Sequence, residues 1–483
     1  MRRWIRFLVP AGLCAIAAAI TLSAAPVPAA KITFTDTKLK NGLRVIISED
    51  HSAPVYSIAV TYNVGSRDER KGRTGFAHLF EHMMFKGSEQ VGPGEHFTLV
   101  FNNGGNMNGT TNQERTLYFE TLPSNQLDLG LFLEADRMWS LEITKENLDN
   151  QRNAVQEERR LGLDNQPYGK TFEVVDELAY ENFAYEHSVI GSMEDLTAAS
   201  VDDVKSFFRT YYAPNNAVLT IVGDVRAEEC LAKVRKYFER IPSQPAPPPM
   251  DFNEPQQKAE KRQTITDQLA RLPRIDIVWH TPPALAPDDD ALTVLAAVLG
   301  SGRSSRFYEN LVRQQALTSG VTASSTGNRG PGLFRVGSTA LPGKSIADLE
   351  KGIYAEIEKI KTGTIEPWEL EKARNNWKRN MATNLGSSLQ RAISLGRYSL
   401  FWDDPNLINT YADRIMAVKP ADIQRVAKQY FVETNRTVVI TMPKAAAGLP
   451  GRLRAASASA SLAEALANTE GLPSVASAKE GGR

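Results

Sequence analysis

Cysteine is almost absent from this chain. Of 483 residues only Cys14 and Cys230 carry a thiol, and beyond the first thirty residues only Cys230 remains. One thiol closes no internal disulfide and builds no thiolate zinc cluster, so folding rests on core burial and any metal must use histidine and carboxylate. Net charge is lacking too: 56 Lys+Arg balance 56 Asp+Glu, so no global field favours nucleic acid or an acidic membrane. After residue 30 no apolar run is long enough to span a bilayer. Histidine is sparse, with His51, His78, His82, His96, His187 and His280 making up the full set of six.

The first thirty residues follow another pattern. Arg2, Arg3 and Arg6 precede an apolar run from Phe7 to Leu22, and small residues follow at Ser23-Ala24-Ala25 and Val27-Pro28-Ala29. Charge, a short apolar core and a small-residue exit predict a secretory signal peptide over 1–30, cut after Ala25 or Ala29. The expected location is periplasmic or secreted.

Ile241-Pro242-Ser243-Gln244-Pro245-Ala246-Pro247-Pro248-Pro249 is the clearest internal boundary, because its prolines cannot feed a ladder and favour a semi-stiff extended linker. It predicts a first domain over 31–241, a linker over 242–256 and a second domain over 257–444. The Ala/Ser/Gly-rich stretch 445–483 has no aromatics and is predicted to be a disordered tail. The two halves end alike. Asp203-Val204, Phe207-Phe208, Tyr211-Tyr212, Asn216 and the strand Ala217–Val222 are echoed by Asp422-Ile423, Tyr430-Phe431, Asn435 and Thr437–Thr441. Each reads as an N-capped helix with an aromatic face, a turn and a β-branched strand. The expected fold is α+β, with two homologous domains, each a mostly antiparallel sheet with helices packed on it.

Two histidines stand four apart in His78-Leu79-Phe80-Glu81-His82. On a helix, positions i and i+4 share a face one turn apart, so both imidazoles can reach one zinc ion at ~2.0–2.1 Å. Glu81, three residues after His78, stands beside the pair without being forced to ligate. This is the inverted H-x-x-E-H spacing, in which the carboxylate acts as general base for a metal-activated water and then as acid toward the leaving amine. A hydrolytic zinc keeps one open position and so needs a third, distant ligand. The acidic helix Asn153–Arg160, with Glu157 and Glu158, offers it. Histidine and carboxylate ligands with no redox demand favour Zn2+ over copper or iron.

Beside the pentapeptide stand Gly104–Thr111, Thr116–Glu120, Asn153–Arg160 and, in the second half, Gly300–Tyr308. In this order they resemble the pitrilysin/insulinase superfamily of zinc metallopeptidases, nearest its processing-peptidase-like bacterial branch, over roughly residues 35–440. The resemblance implies that Glu158, rather than Glu157, is the third ligand, and that the chain forms half of a clamshell chamber. A further family carboxylate seven residues before that ligand is Gln151 here, so any support that carboxylate gives the metal site is altered. Asn106 to Glu120 resembles the family's active-site edge strand, with Asn108 a substrate contact for an extended peptide. Phe101 and Met107 are expected as packing.

One departure from the pattern is informative. Family members that act alone carry an Arg and a Tyr seven residues apart in the second half, where this chain has Val312 and Ser319. Taking Arg313 as the Arg leaves Gly320 at the Tyr position. The resemblance therefore implies a heterodimer, in which a homologous subunit lacking the zinc motif supplies the Arg/Tyr pair that stabilises the oxyanion. The alternative is a non-catalytic subunit of such a complex that only binds peptides.

Overall fold

A computed structural model describes residues 31–444; the expected signal peptide and tail lie outside the described residues. Two sheet-and-helix domains make up the fold. The first sheet contains β1 (Thr35–Lys38), β2 (Arg44–Glu49), β3 (Val55–Tyr62), β4 (Asn106–Thr111), β5 (Thr116–Pro123) and β6 (Ala217–Gly223), ordered β1-β2-β6-β3-β5-β4. The second contains β7 (Lys261–Asp267), β8 (Arg274–Thr281), β9 (Thr318–Thr326), β10 (Gly332–Ala340) and β11 (Arg436–Pro443), ordered β7-β11-β8-β10-β9. Every neighbouring pair is antiparallel except β2 with β6 and β7 with β11. The parallel pair in each sheet involves the β-branched strand that closes each half.

The stretch Asn106–Glu120, expected as one edge strand, is a hairpin, and only β4 lies at the sheet edge. Its turn contains no Gly or Pro. Asn112 makes it instead, its side chain accepting from the Glu114 and Arg115 N–H groups at 2.8 and 2.9 Å, an Asx-type turn.

Five helices of the first half position the site: α1 (Phe76–Met83), α2 (Glu95–Asn102), α3 (Leu127–Ser140), α4 (Lys145–Arg159) and α5 (Gly169–Ala179). The first three pack with helices Val201–Tyr211 and Ala227–Phe238 over one face of the first sheet. The aromatic face foreseen on Val201–Tyr211 meets α1: the Phe80 ring lies 5.8 Å from Phe207, 5.8 Å from Phe208 and 4.1 Å from Tyr212. Burying Phe80 contributes about 1.5–3 kcal/mol and fixes the roll of α1. The second half repeats the device with Trp279, Phe334 and Phe431.

The proline-rich segment does not separate two self-contained units. Helix Ser388–Trp402, from the second half, covers the other face of the first sheet, with Ala392, Leu395 and Tyr398 buried against Ile46, Ala59, Val218 and Val222. Thr220 Oγ1 donates to Ala392 O at 2.9 Å, and Gly396 lets the helix come close, since a Cβ there would meet Thr61 Oγ1 at 2.7 Å. In return α5, from the first half, lies on the second sheet, where Val175 and Ala179 pack with Val278 and Val439 and Thr171 Oγ1 bonds Thr441 Oγ1 at 2.7 Å. Each half lends a helix to the other.

No helix among the described residues is long and apolar enough to cross a membrane. Phe101, expected as packing, is 54% exposed, whereas Met107 is buried.

Candidate metal centre

Gly75, with a φ of 83° that suits glycine, caps the start of helix α1. Its first N–H groups would be unsatisfied, and Glu69 fills that need. The buried Glu69 carboxylate accepts from Gly75 N at 2.9 Å and from Ala77 N at 2.7 Å, placing negative charge at the positive helix end. His187 Nε2 reaches the same carboxylate at 2.9 Å while His187 Nδ1 donates to Phe183 O at 2.7 Å. Burial opposes protonation of His187, but the hydrogen bond and charge of Glu69 outweigh it and raise its pKa. No spacing rule could have paired residues 69 and 187; only the folded chain joins them.

The helix carries His78 and His82 on one face, their ring centroids 4.8 Å apart. Glu158, near the end of α4, comes to meet them. Its Oε2 lies 3.6 Å from His78 Nε2 and 3.4 Å from His82 Nε2. Ligand atoms at zinc–ligand distances of ~2.0–2.1 Å around a tetrahedral ion stand about 3.3–3.4 Å apart, so these three groups fit one such ion. Burial, reinforced by nearby His82 and opposed by Glu158, pulls the His78 pKa down to about 4, leaving a neutral ring able to ligate. Interaction with His82 holds Glu158 below the usual carboxylate range. Glu157 points elsewhere, to Arg160 at 3.0 Å.

His78 Nδ1 is buried without a partner, although a ligating imidazole ordinarily donates its second N–H. Gln151, at the position of the altered carboxylate, is buried but turns its amide to Asn150 Oδ1 at 2.5 Å.

Glu81 is buried on the same helix and accepts from Thr111 Oγ1 at 2.5 Å. Burial raises its pKa, and Thr111 and His82 oppose the rise. Gly109 of β4 presses on it: a Cβ there would lie 3.0 Å from both Glu81 Cγ and Oε1. Gly109 and Thr111 therefore belong to the site, a role that spacing gave no sign of.

Asn108, by the alternation of a strand, lies on the opposite face of β4. Asn112 N–H donates to Arg115 O at 3.0 Å, so the alternating ladder turns the backbone of Met107, Gly109 and Thr111 outward to the open edge. Asn108 Oδ1 accepts from Gly109 N at 2.9 Å, covering one of those outward groups. Val312 lies in a wide helical turn, Tyr308–Gln314, and Ser319 is exposed on β9. Arg313 is paired with Glu309 at 2.9 Å.

A second trio, His96, Glu120 and Glu134, is also close together. There the cation is already present as Arg137, fully buried, bonded to both Glu134 oxygens and lying over the Phe85 and Tyr118 rings at 5.2 and 4.5 Å. This network is structural.

Residues 44–192 match the family described as Insulinase (Peptidase family M16), and residues 198–377 match Peptidase M16 inactive domain. Over 408 residues the chain is 31% identical to Zinc protease PqqE of Helicobacter pylori, covering 84% of this chain and 92% of that protein. The chain belongs to the M16 peptidase family. A further M16 relative is the probable mitochondrial-processing peptidase subunit beta of Arabidopsis thaliana, 25% identical over 412 residues, with 83% of this chain and 76% of that one covered. A crystal structure of a protease from Helicobacter pylori superimposes with a TM-score of 0.82 at 31% identity, over 85% of this chain and all (100%) of that one. The periplasmic protease PqqL from Escherichia coli shares the fold at TM-score 0.71 and 18% identity, and this chain spans 52% of its length. Within the M16 pair of domains, the second, inactive one has here a single histidine, His280, whose Nε2 bonds Ala179 O at 3.1 Å.

Proposed function

We propose that this chain is the zinc-bearing subunit of an endopeptidase that hydrolyses extended peptides or unfolded segments inside a chamber. The observation that carries this reading is the convergence of His78, His82 and Glu158 at 3.4–3.6 Å, with Glu81 buried beside them and an open strand edge alongside. The naming of relatives as zinc proteases supports it.

Zinc held by His78, His82 and Glu158 would polarise the scissile carbonyl and acidify a water molecule. Glu81, buried beside the trio, would serve as the base that accepts a proton from water at the site. The same carboxyl is placed to pass that proton on to the leaving amine. Thr111 and Gly109 hold the Glu81 carboxylate in place. An extended substrate adds to β4 through the outward backbone of Met107, Gly109 and Thr111. As it pairs, the Gly109 N–H is released from Asn108, whose amide then turns to the peptide.

The Arg and Tyr of the family pattern are missing from the expected second-half positions, where Val312 and Ser319 stand, and Arg313 next to them pairs with Glu309. A homologous subunit lacking the zinc motif and contributing an Arg and a Tyr would complete the site. The fold of PqqL, one chain about twice as long, supports a two-unit assembly. A signal peptide at 1–30 and the periplasmic description of PqqL support a periplasmic or secreted location.

The experiment is cleavage of quenched unfolded peptides by this chain alone, by its mixture with such a homologue, and by the same mixture carrying Glu81→Gln. Turnover is expected only in the second case. Equal activity with and without the partner refutes the split site, and activity surviving Glu81→Gln refutes the mechanism.

A further inference from the structure

Behind the hairpin, on the side of the first sheet away from Glu81, helix Ser388–Trp402 and helix Pro367–Leu385 leave a cavity of about 560 Å³. Its lining includes Arg115 from the end of the hairpin turn, Arg397 from the borrowed helix, and the polar Asn380, Asn384 and Gln390. Arg115 and Arg397 are the only charged residues of that lining; no Asp or Glu contributes.

Arg115 is largely withdrawn from solvent. Its Nη1 donates to Thr110 O and Thr110 Oγ1 at 2.6 and 2.5 Å, which aims the guanidinium along β4 without neutralising it. No ion pair is formed by Arg115 or Arg397 among the described residues. Burial pushes the Arg115 pKa down to about 10, Arg397 pushes the same way, and Glu81 across the strand opposes both. Arg397 lies over the Tyr398 and Trp402 rings at 5.0 and 6.0 Å, which restrains its reach. Two like charges at a shared cavity, one of them desolvated, make a site that an anion relieves.

The position of the cavity follows from the strand. Directly opposed residues share a sheet face, so Thr110 lies on the same side of the sheet as Leu117, which lines the cavity, and Asn108 and Phe119 lie on that side too. Gly109 and Thr111 face Glu81. A peptide added to the edge of β4 would send alternate side chains to the zinc face and to this one.

We propose that Arg115 and Arg397 form a subsite for a carboxylate of the bound peptide, within about two residues of the scissile bond. This rests on the reading of β4 as the substrate edge. The carboxylate comes from an acidic side chain or from the peptide's own C-terminus, and the two sources are separable.

The test uses the zinc-loaded full chain carrying Glu81→Gln, which binds without cutting. Fluorescent dodecapeptides differ only in Gln, Glu or Lys at the central positions, and each is made as free acid and as C-terminal amide. Anisotropy titrations are expected to show about tenfold tighter binding of one carboxylate form, the size of one charge-assisted hydrogen bond at a partly exposed site. A Glu-over-Gln preference assigns the side chain; an acid-over-amide preference assigns the C-terminus. The preference should vanish in Arg397→Gln and turn toward Lys in Arg397→Glu, with zinc content equal to the parent as the folding control. No charge preference, or one that survives Arg397→Glu, overturns the subsite. Failure to bind even neutral peptides overturns the edge reading and the subsite together. Turnover of neutral peptides by the unmutated assembly reports the hydrolytic reading separately.

Discussion

Replacing Gly109 by alanine tests the proposed placement of the general base without touching a metal ligand. Gly109 is not among the glycines with positive φ, so alanine suits its backbone. The new methyl would stand 3.0 Å from Glu81 Cγ and Oε1 and 3.2 Å from Cδ. Ordinary carbon contacts lie near ~3.5–4.0 Å, so the carboxylate must retreat by about 0.5 Å. It cannot retreat freely, because Thr111 holds it at 2.5 Å. A displacement of about 1 Å costs on the order of a hundredfold in rate, so half of that predicts about a tenfold fall in kcat, or ~1.4 kcal/mol of barrier. The assay is steady-state cleavage of a quenched peptide with the proposed homologous partner added, with zinc per chain measured on the same sample. Expected are the tenfold loss in kcat, a KM within about twofold and full zinc. An unchanged kcat would refute the positioning of Glu81 by β4, and lost zinc would show that the substitution acts on the ligands instead.

Glu158→Gln should weaken zinc binding at least about tenfold in a competition titration with a chelator, whereas Glu157→Gln should leave it unchanged; equal effects would remove Glu158 as the ligand. His187→Gln strands the buried Glu69 carboxylate at the start of α1 and should lower stability by about 3 kcal/mol in denaturant unfolding. Because the folded His187 pKa is raised above 6.5, its share of stability is complete below that pH and fades as pH rises through the folded value. Melting curves of parent and variant should accordingly draw together as the pH rises above 6.5 and through the raised folded pKa; a gap that widens with pH contradicts a charged His187. Gly396→Val drives a side chain into Thr61 and should cost about 1–3 kcal/mol in the single unfolding transition; no loss would mean that the helix does not need that close approach. Burial pushes the Cys230 thiol up to about 12, so it should stay unreactive to a thiol reagent until denaturant is added, and rapid native labelling would contradict its packing.

How much of the site is legible in the sequence depends on where its residues lie along the chain. His78, Glu81 and His82 occupy one helix, so their spacing alone places them on a common face. Glu158 lies 76 residues beyond His82, and only a family pattern could single it out from Glu157. Glu69 and His187 act through contacts between distant segments, for which no periodicity exists. Gly109 and Thr111 are visible as part of a motif, but their work is to touch Glu81 across a helix–strand contact. The hairpin is hidden because its turn uses an asparagine side chain instead of Gly or Pro. The exchange of helices is hidden because α5 and Ser388–Trp402 have the same amphipathic character whichever sheet they cover.

That exchange decides where motion can occur. A clamshell needs two parts that separate, yet drawing these halves apart would strip a helix from each sheet and expose Leu395, Tyr398, Val175 and Ala179 together. The proline-rich connection is thus a spacer, not a hinge. In the proposed two-subunit assembly, opening to admit a substrate would take place between whole subunits. Synthesis is constrained as well: as the chain leaves the ribosome, the first sheet keeps one apolar face bare until residue 402 has been made. The molecule should reach its native state late and all at once, and a fragment ending at the prolines should aggregate.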